Sequence, residues 1–216
     1  MSDLVKLIVS QHVDLNTVYL LLALPFIATL IAAFRQIVGV KSFGIYAPLV
    51  LTFAFWATDL KYGLTIFAVI FLTGTAVRYV LKKMRLLYMP RMAIVLTVIS
   101  IAILALLAIG GHYRRFGLSS TSILPILIMI TLIEKFISAQ VEKGLRTATF
   151  LSVETLLISV VGYYILIWDV FYDFVLAHPF YIVVLLVINL LLGKWSGLRL
   201  SEYLRFRKVI KNVEND

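Results

Sequence analysis

The stretch TVYLLLALPFIATLIAAF, residues 17–34, runs for eighteen positions without a charge before Arg35 ends it. A helix needs roughly 20 mostly apolar residues to cross a bilayer. Inside hydrocarbon every backbone N–H and C=O must be satisfied within the segment, so a run of this kind means an α-helix. Working outward, six more apolar runs follow at 43–58, 62–81, 92–109, 118–137, 153–171 and 179–197. The 216 residues are 62% hydrophobic and 14% charged, too apolar for a soluble domain to cover its own surface. The in–out alternation of a membrane β-barrel is missing. The predicted fold is therefore all-α, a polytopic membrane bundle of about seven spans. The second run is short and contains Gly44 and Pro48, which predicts a tilted, broken or partly re-entrant helix.

Basic residues are retained on the cytoplasmic side, and their placement gives the orientation. With the N-terminus outside, the inner segments hold sixteen Lys and Arg: Arg35, Lys41, Arg78, Lys82, Lys83, Arg85, Arg91, Lys135, Lys143, Arg146 and six from Lys194 to Lys211. The outer segments hold four, namely Lys6, Lys61, Arg114 and Arg115. The formal charge of +9 is thus topological, and no nucleic-acid partner is expected. The chain divides into a short extracytoplasmic segment (1–16), a membrane domain (17–198) and a basic cytoplasmic tail (199–216). Residues 1–16 lack a basic cluster and a small-residue cleavage site, so no cleaved leader is expected. The predicted location is the cell inner membrane, and the partner in every reading is the lipid bilayer. Trp56, Tyr62, Tyr88, Trp168, Tyr172 and Trp195 fall near span ends, where aromatic rings anchor at the interface.

Enzyme chemistry finds little support. Phosphate-binding glycine loops, zinc-spaced histidine pairs and serine elbows are all missing, and there is no cysteine. No catalytic residue, metal or cofactor is assigned. His112 and His178 with Asp169 and Asp173 fall on the outer side and are read as solvated residues rather than a metal site. A retinal pigment would need a lysine in the middle of the last helix, whereas Lys194 lies near its end. Arg78-Tyr79 has no acidic residue before it and the last span has no Asn-Pro pair, which argues against a G-protein-coupled receptor.

Ionisable groups at the membrane boundary are costly and mark candidate sites. Arg35 follows the first apolar run, Arg78 ends the third, and Arg91 opens the fourth; Glu134 lies near the inner end of the fifth and Glu154 begins the sixth. Two readings stay open. The arginines snorkel and fix topology while the glutamates neutralise neighbours, or the five residues form a vestibule in which arginines attract an anion and glutamates orient them. Asn189, deep in the seventh run, is read as glue between helices. A second pattern is an echo of Gly/Pro-interrupted segments. Gly39, Gly44 and Pro48 lead into the second run, with Gly63 after it; Gly117 and Pro125 lead into the fifth, with Gly144 after it. The two segments run in opposite directions, as in an inverted repeat of three plus three spans after the first.

The run Arg35-Gln-Ile-Val-Gly39-Val-Lys-Ser-Phe43-Gly44-Ile-Tyr-Ala-Pro48, with Gly74-x3-Arg78, Pro90-Arg91, Thr97, Pro125, Glu134, Gly193-x3-Gly197-x-Arg199-Leu-Ser-Glu202 and Arg205-Phe206-Arg207, resembles the bacterial seven-transmembrane-helix domain usually fused to an inactive transglutaminase. More distantly, the Gly-Pro segments resemble the multi-pass subunit of poly-γ-glutamate synthases. The resemblance implies association with a cytoplasmic ATP-grasp-type ligase and an extracytoplasmic transglutaminase-like protein, although no transglutaminase-like region lies in this sequence. The expected function is that of a non-enzymatic membrane subunit aiding delivery or export of an anionic, glutamate-containing product. The alternative is a scaffold or signalling module coupling an outer domain to a cytoplasmic partner.

Overall fold

A computed structural model describes residues 2–84, 87–112 and 123–194, and all of its regular structure there is helical. Gly117, Trp195, Gly197 and the basic tail lie outside the described residues. In chain order the helices are α1 (Asp3–Ser10), α2 (Leu15–Ala33), α3 (Tyr46–Thr58), α4 (Leu60–Leu81), α5 (Tyr88–His112), α6 (Ile123–Lys143), α7 (Leu145–Leu166), α8 (Asp169–Ala177) and α9 (Tyr181–Gly193). Each apolar run corresponds to one of them. Among the described residues, five segments are long and apolar enough to cross a membrane: Leu15–Val38, Leu60–Leu81, Tyr88–Gly110, Ile123–Lys143 and Leu145–Leu166. The pair α8 and α9, bent by 103° at Pro179, makes a sixth if taken as one span. Helix α3, the short second run, has 13 residues. At 1.5 Å per residue it reaches about 20 Å against a hydrocarbon thickness of about 30 Å.

Helix bounds depart from the apolar runs at the fifth and sixth segments. Helix α6 continues past 137 to Lys143, and α7 starts at Leu145 rather than near 153. Apolar length is not helix length: Ala139, Gln140, Glu142 and Lys143 favour helix although they end the hydrophobic signal. Only Gly144 interrupts. Its φ of +84° is left-handed, its N–H closes α6 on Gln140 O, and its carbonyl opens α7 by accepting from Ala148 N. Glu134 therefore stands in the middle of α6, not near its end, and Glu154 lies in the third turn of α7 instead of beginning it.

The chain packs as two units, Met1–Leu49 with Tyr164–Asp216, and Val50–Tyr163, whose boundaries fall within α3 and α7. In the first unit α2 lies against α8 and α9. Pro25 in α2 has no N–H to give the preceding turn. One residue on, Leu22 O accepts the Tyr181 hydroxyl of α9, and Thr29 Oγ1 donates back to Pro25 O. Asn189 Nδ2 donates to Thr29 Oγ1 at 2.7 Å, the interhelical bond the sequence led us to expect. Tyr19, fully buried, donates to Leu166 O and packs its ring on Phe171 and Tyr172. The segment before the first span is no loose stub. Ser2 caps α1 through Val5 N, and Ser2 N donates to Leu176 O at the end of α8.

In the second unit α4 packs on α5 and α6. Ile66 and Ile70, then Val95, Ile99 and Ile103, then Met129, Ile133 and Phe136 form its core at helical spacing. Glycines set the approach distances. A Cβ at Gly74 would lie 2.6 Å from Ile133 Cγ1, and one at Gly162 would lie 2.7 Å from Thr52 Oγ1. Such small-residue contacts let helices close where lipid gives no hydrophobic drive. The proposed repeat partners Gly63 and Gly144 do different jobs: Gly63 packs inside α4 against Phe55 and Thr58, whereas Gly144 breaks the chain.

Candidate functional site

Helix α4 runs into the connection at 82–87 and α5 starts just beyond it, so the end of one meets the start of the other. Helix α6 comes back to the same end along α4. Arg78 in the last turn of α4, Tyr88 and Arg91 in the first turns of α5, and Glu134, Ser138 and Gln140 on α6 thereby converge. The position suits Arg78, because the C-terminal carbonyls of α4 leave partial negative charge there, whereas the N-terminus of α5 disfavours the cation of Arg91 and favours an anion beside it. Pro90 is tolerated in the first turn of α5, where its missing N–H has no intrahelical acceptor.

Arg78 Nη1 donates to Gln140 Oε1. Gln140 is 4% exposed, and its amide Nε2 is buried with no hydrogen-bond partner. Arg91 is half-buried in the first turn of α5, the helix that packs on α4. On the other side of α6, the Tyr88 hydroxyl donates to Glu134 Oε1 at 3.4 Å and shares a hydrogen bond with Ser138 Oγ at 3.3 Å. The cluster thus gathers the N–H donors of Arg78, Arg91 and Gln140 at one end of three helices. Such donors take carboxylate or phosphate oxygens.

The structure brings together Arg78 and Arg91 of the five sequence-predicted residues, and joins Glu134 to them through the first turn of α5. Glu154 is half-buried on α7. Arg35 belongs to the first unit, exposed on a π-helical turn (Phe34–Val38) that Gly39 ends at φ +87°. Of the predicted structural positions, Gly44 is left-handed at +76°, and Pro48 and Pro125 are buried in the first turns of α3 and α6. Sequence reasoning missed Gln140. A signal existed: Gln140 lies seven, four and three residues after Ile133, Phe136 and Ile137, on a face otherwise apolar and buried. Among the described residues no three of His, Asp and Glu gather as a metal site would require.

Repeated apolar helices and small-residue packing between them define a multi-pass helical membrane protein. The chain belongs to the family described as 7 transmembrane helices usually fused to an inactive transglutaminase, which matches residues 3–210. No curated protein matches it, and no solved structure does.

Proposed function

We propose that this chain is a non-enzymatic subunit of a bacterial inner membrane that passes on or exports an anionic, glutamate-containing product made by a cytoplasmic ATP-grasp-type ligase. The observation that carries the reading is the Arg78–Gln140 pair at the end of the unit where α5 begins with Arg91 in its first turn. Two guanidinium groups and a buried amide at one bundle end attract and orient an oxyanion. The excess of basic residues on the same side of the topology concentrates such a product there. Glu134, held by Tyr88, limits how far the field of the arginines extends.

The test is charge reversal of Arg78 or Arg91, with membrane insertion and abundance verified in each variant. Exported product should fall sharply in both. Unchanged export in the two variants rejects the reading. The family's habit of fusion to an inactive transglutaminase favours a second reading, a scaffold coupling an extracytoplasmic domain to a cytoplasmic partner. A scaffold should co-purify with its partner and give no anion flux in proteoliposomes.

A further inference from the structure

We infer that Gln140, with Arg78 and Arg91, forms a binding site inside the second unit for a single oxyanion group, a carboxylate or a phosphate. The inference rests on the delivery reading only for the origin of the ligand; the site itself rests on geometry. Gln140 is the residue that turns a charged surface into a site. Its oxygen is already engaged by Arg78 Nη1, which fixes the side chain, and leaves Nε2 as the donor on the same planar group. That donor is buried with no partner, in a side chain only 4% exposed. A buried amide N–H without an acceptor is destabilising in a native structure, and a bound acceptor removes the cost.

The neighbours supply the rest. Arg78 has further N–H groups in a planar fork and uses one of them on Gln140. Arg91 lies in the first turn of α5 at the same end of the unit, and a second guanidinium there adds to the attraction for an anion. A carboxylate or phosphate presents several acceptor lone pairs, enough to take the Gln140 amide and the Arg78 fork together. Two sources carry that chemistry: a soluble product with a terminal carboxylate, and the phosphate of an anionic lipid at the same depth.

The experiment uses the full chain purified in a neutral detergent, with wild type, Gln140→Met and Gln140→Glu compared. Methionine keeps the volume and deletes the donor. Glutamate replaces that donor with a carboxylate oxygen that repels an incoming anion, so Gln140→Glu should fold with Arg78 paired internally and reject ligand. Thermal unfolding without ligand checks that each variant is folded. The probes are glutarate and inorganic phosphate in one arm, and mixed micelles containing phosphatidylglycerol in the other. Saturable stabilisation of wild type is expected, weakened about tenfold in affinity in Gln140→Met and abolished in Gln140→Glu. Binding of glutarate or phosphate assigns a soluble source, and binding confined to phosphatidylglycerol assigns a headgroup. Absence of binding to wild type in both arms, or wild-type affinity in a folded Gln140→Glu protein, overturns the site. The two proposals separate cleanly: export that persists in a Gln140 variant unable to bind leaves the site standing and removes delivery as its purpose.

Discussion

Asn189 shows how one polar side chain is used within an apolar helix. Its amide donates to Thr29 Oγ1, while the same hydroxyl donates to the carbonyl of Pro25. Hydrogen bonds between membrane helices are modest, because the separated helices find other partners in lipid. A double-mutant cycle on Asn189→Ala and Thr29→Ala should therefore give a coupling of about 0.5–1.5 kcal/mol in detergent unfolding. Zero coupling would mean that the bond holds no weight. Gly74 makes the opposite kind of contact, an absence of atoms. A methyl there would meet Ile133 Cγ1 at 2.6 Å and Cδ1 at 2.8 Å. Gly74→Ala should cost about 1–3 kcal/mol by overpacking, and Ile133→Ala in the same chain should return part of it. Unfolding of the single and double variants checks this, and a double variant no more stable than the sum of the singles would contradict it.

At the scale of elements, the single residue Gly144 separates two long helices. Any L-residue with a Cβ at φ +84° is strained, so Gly144→Ala should destabilise by about 1–2 kcal/mol, while Gly144→Asn should be milder because asparagine enters the left-handed region more readily. The side of α9 that ends at Gly193 offers a control. Among the described residues nothing lies within 4 Å of a Cβ there, and Gly193→Ala should be neutral or mildly stabilising in the same thermal assay. Gly144 also explains where sequence reading succeeded and where it stopped. Apolar length reveals that a helix exists, which is why seven runs were visible. It does not reveal where polar helix formers such as Gln140, Glu142 and Lys143 carry the helix onward, and so Glu134 was placed too near an end. The arginines of the site were legible because charge at a membrane boundary is rare. Gln140 was not, because its significance depends on facing Arg78 from sixty-two residues away, a distance no local pattern encodes. The amphipathic α1 went unseen for a related reason: Ser2 N finds its acceptor on Leu176, at the far end of the chain.

For the molecule as a whole, the delivery reading depends on which side of the bilayer the Arg78 cluster faces. The charge count leads to the expectation that it faces inside, since lysine and arginine in short loops resist translocation. The chain suits a direct test because it contains no cysteine, so each introduced thiol is the only one present. His12, Lys83, Lys143 and Asp173 are all exposed and lie outside the buried helix faces. In intact cells a membrane-impermeant maleimide should label His12→Cys and Asp173→Cys. It should reach Lys83→Cys and Lys143→Cys only after permeabilisation. Lys83 lies just beyond the end of α4 and Lys143 ends α6, so these two positions report on the end of the unit that carries Arg78 and Gln140. Labelling of Lys83→Cys in intact cells would put the cluster on the outer face. A product made in the cytoplasm could not then enter through it, whatever the affinity of the site for anions.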